Sequence, residues 1–460
     1  MKNRMFLLFC GAWLLLWFAG CSDEPSATEV NLVRITYVSQ ESEFLFAGRP
    51  VRLGVQSFYQ SSSNISCEWH FGDGESSNES YPTHTYTFPG TYRITVIADL
   101  GKKFSRDTLI TILPPPKVFG AKTSKETGIF LYQDKSHYYR VLYTSEGTGA
   151  PRFGLMALTP ELDSVYAKLL PFQWEQRQWT VPPMVNTQEN LVVLNNQFWR
   201  FDLTANLLAT QTIQRHDVAP RLTENAGEYD LTSTNYNASL VFIDHLNSQG
   251  ELTDHQQYDV SKSGYDYAGV TFKGTDQLLL HYKKPGTLNT LSTTLVSKRK
   301  LNGEVLFEKE YTLSAVFDII PLTSGYVYSA EAYFDFNGSP TGPEAWHVST
   351  RVDEKGEVLW QVDNAAMQGR GYGIGYGPPL QVLEIDGFTY IFQENMIGTK
   401  VDPDGKVVWS RFFGSTRYDI FNMAIVNNKN NLVLLGSQDG DHSDLMLMEI
   451  DQNGNLVSHP

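Results

Sequence analysis

The chain has 460 residues, enough for two or three domains. Lys and Arg total 36 against 51 Asp and Glu, a net charge of −15, which argues against a nucleic-acid binder because phosphates must be met by basic surface. Aromatics at 13% and charged residues at 19% supply ample core and exclude a coiled coil or a generally disordered chain; 36 Gly and 21 Pro imply many turns.

Residues 1–20 read as an export signal and not as part of the fold. Lys2 and Arg4 form a basic head, and residues 5–19 are almost wholly apolar but too short for a comfortable membrane span. The segment ends in Phe18-Ala19-Gly20-Cys21. Small residues directly before a Cys resemble the lipobox of bacterial lipoproteins, with Phe18 where Leu is usual. The resemblance implies cleavage before Cys21, a lipid on Cys21 and attachment to a membrane. An ordinary secretory signal with an incidental Cys is the alternative. Residues 21–29 form an acidic tether containing Ser22-Asp23-Glu24-Pro25. Acidity just after the Cys resembles the surface-export signal of Bacteroidetes-type lipoproteins; a plain solvated linker is the competing reading. The expected location is the outer membrane, lipid-anchored and exposed at the cell surface. Cys10 leaves with the signal and Cys21 is acylated, so Cys67 has no intramolecular partner and reads as a buried strand residue.

Residues 30–113 show short strands and turns. A strand begins at Arg52, and Cys67, Trp69 and Phe71 alternate with Glu68 and His70, the period of a half-buried strand. Gly72-Asp73-Gly74 turns the chain; His84, Tyr86, Pro89-Gly90 and Tyr92 follow, with Tyr92, Ile94 and Val96 alternating inward. Trp69, Phe71-Gly72-Asp73-Gly74, His84, Tyr86, Pro89-Gly90 and Tyr92 together resemble the PKD domain. That implies an immunoglobulin-like β-sandwich acting as a spacer or weak interaction module. Asp73 and His84 could be read as a metal or catalytic pair; the family pattern implies that they pin the turn and hairpin. Pro114-Pro115-Pro116 is a stiff linker and the clearest boundary in the chain.

Over residues 117–460 a strand, a polar turn with Gly and a strand with an aromatic recur. Asp353-Glu354-Lys355-Gly356-Glu357-Val358-Leu359-Trp360 and Asp402-Pro403-Asp404-Gly405-Lys406-Val407-Val408-Trp409 are clear copies. Gly303, Gly454 and Gly250 mark three more, and Ala205 and Glu161 two degenerate ones. A recurrence of about 50 residues in an all-β chain means a propeller or an array, each step holding about four strands. In the last step these are read at residues 420–426, 431–435, 445–450 and 456–457. The copies resemble the tandem β-propeller repeats of Bacteroidetes exported proteins and, more distantly, quinoprotein-type repeats. The predicted fold is therefore all-β: the sandwich followed by a β-propeller of seven blades.

Candidate sites are few. No His pair has metal-ligand spacing. Asp439, Asp441 and Asp444 could offer oxygen ligands to Ca²⁺, against the simpler reading of an acidic hairpin. Residues 369–377 alternate Gly with other residues but have no following helix to hold a phosphate, so a dinucleotide site is excluded. Tyr372 and Tyr376 would share one strand face, as a sugar-stacking platform or as packing near the propeller axis. Trp174 and Trp179 lie in a polar stretch with Glu175, Gln176, Arg177 and Gln178, suited to stacking on sugar or peptide. No nucleophile, metal set or cofactor motif is legible, so no cofactor is expected. The sequence points to non-catalytic glycan or protein binding, or scaffolding, without nucleic acid. The alternative is a propeller-type polysaccharide lyase or glycosidase with an accessory sandwich.

Overall fold

The computed structural model describes residues 33–39, 45–57, 65–99, 103–120, 124–147, 151–173, 184–186, 190–195, 197–213, 221–225, 227–235, 237–273, 277–284, 293–312, 316–333, 345–363, 381–393, 396–413, 419–438 and 444–457. The export signal, Cys21 and the acidic tether lie outside them. Every regular element among the described residues is a β-strand. The chain divides into two compact units, one of Met1–Val38, Arg52–His84 and Tyr92–Ile110, the other of Ser39–Val51, Thr85–Thr91 and Thr111–Pro460.

The N-terminal strands make two sheets. One orders Val33–Ser39, Pro50–Ser57 and Thr83–Thr85; the other orders Leu45–Phe46, Lys103–Leu113, Gly90–Asp99, Ser66–His70 and Ser76–Ser77. Cys67 and Trp69 point inward and Glu68 and His70 outward, as the period of two requires. Ile94 and Val96 are fully buried on the neighbouring strand, while Tyr92 is half-buried.

The rest of the described chain forms seven four-stranded antiparallel sheets. Sheets one to six span residues 125–173, 184–212, 221–259, 266–312, 316–363 and 381–412, each with its strands in chain order. Sheet seven takes Ile420–Val426, Leu432–Gln438 and Asp444–Ile450, and its fourth strand is Lys117–Phe119 from the start of the domain. This corrects the sequence reading, in which Leu456-Val457 was the fourth strand. Residues 117–119 pair with 445–447, while Leu456 makes one bridge to Ile450 and Val457 N–H donates to Glu449 O. Each sheet packs on the next through its own apolar cluster, and one further cluster, with Leu131 and Leu435, packs sheet seven on sheet one. A succession of sheets that returns to its start is a β-propeller.

The recurring turn joins third and fourth strands. Asp353 Oδ1 accepts the N–H groups of Lys355 and Glu357, each at 2.8 Å, and Asp402 and Asp451 cap their turns in the same way. The fourth turn residue is left-handed: Gly405 has φ 88°. A Cβ there would sit 2.4 Å from Trp360 of the preceding sheet, so the glycine is required twice, by its φ and by the indole beneath it. Trp360 and Trp409 are thus seam residues, each beneath the turn of the following sheet: Trp409 Nε1 donates to Gln452 O at 3.1 Å. In sheet one the cap is Thr159 and the left-handed residue is Leu162, φ 62°, one position beyond the expected Glu161.

Two further regularities brace the ring. Two residues before the turn cap, a buried cation on the third strand reaches the next sheet. Lys298 Nζ meets Glu354 Oε2 at 2.5 Å, Arg351 Nη2 meets Glu384 Oε1 at 3.2 Å, and Lys400 Nζ donates to Gln452 O at 3.0 Å. Eleven residues separate polar rungs between third and fourth strands: Asp244–His255 at 2.5 Å, Ser297–Glu308 at 3.0 Å, Thr350–Gln361 at 3.3 Å and Thr399–Ser410 at 3.4 Å.

Candidate functional site

The two ends of the sheets differ. Connections between first and second and between third and fourth strands leave one end, and none exceeds five residues. Connections between second and third strands, and from each fourth strand to the next sheet, leave the other. They include residues 174–183, 334–344 and 364–380. This second, loop end is where sequence is free to vary without disturbing the ring.

Among the described side chains near that end, one polar patch stands in the seam between sheets seven and one. Glu126 lies on the innermost strand of sheet one, opposite Ser145. Its Oε1 accepts hydrogen bonds from Ser124 Oγ at 2.5 Å and Ser145 Oγ at 3.1 Å. Two residues on, a Cβ at Gly128 would lie 2.7 Å from Leu435 Cδ1, so the two sheets approach closely there. Ser437, on the same face as Leu435, faces sheet one and donates to Asn422 Oδ1 at 3.2 Å. Asn422 itself occupies a bulge of the innermost strand, between Phe421 and Met423. A buried carboxylate held by two hydroxyls can accept hydrogen bonds from hydroxyl or amide groups. A glycosidase would need a second carboxyl about 5–10 Å away; among the described residues named in this patch, Glu126 is the single carboxyl.

His281, on the second strand of sheet four, is the other buried titratable group of note. Burial, and then the Lys283 charge, hold its imidazole down at about 4, so it is neutral at ordinary pH. Gly269 lies against its ring, 2.4 Å from Cε1 to an added Cβ. Neither Glu126 nor His281 was singled out from sequence. His281 is a lone polar letter within an apolar run, and Glu126 stands between Lys125 and Thr127 at the polar start of its strand, so no spacing marks either.

The sequence-derived candidates fare differently. Trp174, Trp179, Tyr372, Tyr376, Asp439 and Asp441 lie outside the described residues. Asp444 opens the third strand of sheet seven, half-buried, its carboxylate against the backbone of Gly120. Among the described residues no group of three His, Cys, Asp or Glu is arranged to hold a metal ion.

In the sandwich, Trp69 is buried and its Nε1 donates to Glu79 O at 3.0 Å. Gly72 has φ 86°, and a Cβ there would meet Arg93 O at 2.6 Å. His84 stacks on Phe71, ring centroids 4.1 Å apart, and its Nε2 lies 2.6 Å from Asp73 Oδ2. Burial pushes the Asp73 carboxyl up, but the His84 bond and the Glu75 amide outweigh it and hold it below its ordinary value. Asp73 and His84 thus tie the Gly72-Asp73-Gly74 turn to the strand Thr83–Thr85. Gly74 has φ 100°, Tyr86 is buried, and Pro89-Gly90 leads into the strand Gly90–Asp99. Cys67 is buried, and burial pushes its thiol up.

Residues 35–108 match the PKD domain family, so the chain carries a PKD domain there. No curated protein matches the chain in sequence. Among solved structures it is similar to BamB from Moraxella catarrhalis, at 11% identity over 72% of this chain and 93% of that one, TM-score 0.36. It is similar to the propeller of Dos1, at 11% identity over 75% and 86%, TM-score 0.44. A quinonprotein alcohol dehydrogenase-like protein from Bacteroides thetaiotaomicron is similar at 10% identity over 92% and 95%, TM-score 0.29. These likenesses concern the fold alone.

Proposed function

We propose that the chain is an exported, lipid-anchored binding or scaffold protein of the outer-membrane surface. In this reading a seven-bladed propeller presents its loop end to a glycan or protein ligand. The observation that carries it is the asymmetry of the ring: capped turns of at most five residues at one end, connections of up to seventeen at the other. The strand ends flanking residues 174–183 and 364–380, which carry Trp174, Trp179, Tyr372 and Tyr376, lie at the loop end. Aromatic rings pack on the apolar faces of sugars, and nearby amides fix orientation. The net charge of −15 favours neutral polymers over polyanions, because like charges repel at long range. Lipid on Cys21, through the multiple chains such lipoproteins carry, would hold the protein at the membrane.

The test incubates the protein with neutral glycans and matrix proteins, scoring retention and product release separately. Loss of one anchoring aromatic should cost about 2 kcal/mol, roughly thirtyfold in affinity. Depolymerisation abolished by Glu126→Gln would replace this reading with the enzyme. In parallel, Cys21→Ser should move the protein out of membrane fractions; a variant that stays bound through a high-salt wash contradicts the anchor.

A further inference from the structure

The strand that completes the ring differs from every other outer strand. Lys117–Phe119 pairs with the third strand of sheet seven at only three positions: Phe119 on Leu445, Val118 on Met446 and Lys117 on Leu447. The remainder of that edge is held from the C-terminal side, where Leu456 bridges Ile450 and Val457 N–H donates to Glu449 O at 2.8 Å. The fourth strand is therefore assembled from two distant stretches of chain. A cavity of about 40 Å³ lies at their junction, lined in part by Pro116, Leu162, Met448, Leu456 and Val457.

The other outer strands have six to ten residues and are tied to their partners by the capped turns, so a frayed strand re-pairs at once. Lys117–Phe119 has no such tether; its partner follows about 330 residues later, and re-pairing must close that whole loop. Its hold rests on Phe119, packed in the seam between sheets seven and one, and on Pro116, which is buried. The Lys117–Asp163 pair, 2.9 Å, is exposed and contributes little. Immediately before the strand stand Pro114, Pro115 and Pro116. Prolines donate no ladder bonds, so none of the three adds a backbone N–H bond that would take up load before Lys117.

We propose that Lys117–Phe119 is a load-released latch. Tension from the N-terminal side peels its three pairs in succession, from Leu447 to Leu445, and frees the outer edge of sheet seven, while the cluster around Leu131 and Leu435 keeps sheets seven and one packed. The sheets themselves stay intact, because each of their strands is held by hairpins. The latch depends only on the direction from which load enters and not on what the loop end binds, so it stands or falls apart from the proposed binding function.

The test is single-molecule pulling on the full chain, held at its N-terminal end and at a biotin-acceptor peptide inserted after Lys284, which is exposed at the loop end between the second and third strands of sheet four. The expected first event is a low-force step of roughly 3 nm, the extended length of about eight residues, ahead of any larger step. In Val118→Cys with Met446→Cys, which joins a cross-strand pair, oxidation should abolish that step and reduction restore it. Phe119→Gly should lower its force. A first step that ignores the redox state, an unchanged force in Phe119→Gly, or rupture of the sandwich or a hairpin before the 3 nm step would each overturn the latch.

Discussion

Gly405 and Gly303 occupy the same place in their turns and share a left-handed backbone, φ 88° and 87°. They differ in what lies beneath. A Cβ on Gly405 would stand 2.4 Å from Trp360, whereas one on Gly303 would meet nothing within 4 Å. Gly303→Ala should therefore cost only the backbone term, about 1 kcal/mol. Gly405→Ala must also push the indole out of a packed seam and should cost at least about 2 kcal/mol more, as overpacking does. Thermal unfolding of the two variants side by side measures the difference; equal losses would mean that the glycine serves the turn alone. Sheet one shows the same turn under another spelling. Thr159 caps through its hydroxyl, and Leu162 takes the left-handed position with its side chain in the seam, so the letters Asp and Gly disappear while the geometry stays. That is why the first copy was displaced by one residue when read from sequence.

At the scale of the element, local rules were written plainly in the sequence and relations between sheets were not. The alternation of Cys67, Trp69 and Phe71 is a property of one strand, and the Asp-x-x-Gly turns of sheets five to seven are properties of one hairpin. The buried cations at Lys298, Arg351 and Lys400 became visible only once each was seen to end on the following sheet. Arg351 is the most exacting of these. Its side chain and that of Glu384 are 7% and 17% exposed, and burial pulls the guanidinium down against the opposing pull of Glu384 and Glu354. Arg351→Met leaves the Glu384 carboxylate largely desolvated without its guanidinium and should destabilise the propeller by about 3 kcal/mol. Adding Glu384→Gln removes the stranded charge and should recover much of that loss. A double-mutant cycle on chemical unfolding of the full chain checks it; simple additivity would show that the pair is not coupled.

For the whole molecule, the recurring turns pointed to a propeller of successive four-stranded sheets, but not to how the last sheet is finished. Pairing of residues 117–119 with 445–447 has no period and no short-range signal, because it joins the two ends of the domain. The loop-end patch around Glu126 was hidden for a related reason: its walls come from sheets one and seven, adjacent in space and at opposite ends of the sequence. Ring closure also fixes what truncation does. Removing residues 405–460 deletes sheet seven and the turn that covers Trp360. It also takes the fourth strand of sheet six, and it uncovers Tyr390, Phe392 and Met396 on what is left of sheet six and Leu131, Tyr139 and Val141 on sheet one, all buried in the intact chain. Each such side chain contributes about 1.5–3 kcal/mol when buried, so the two faces of the gap together lose an amount comparable to a domain's whole margin of about 5–15 kcal/mol. Lys117–Phe119 loses its only sheet partner at the same time, and the open sheet edges become templates for pairing with other chains. The truncated chain should collect in aggregates, with no cooperative unfolding of the propeller by calorimetry or light scattering. Recovery of a soluble monomer with one sharp transition from residues 117–404 would mean that the sheets stack as an open array, each stable on its neighbour, and do not depend on the ring.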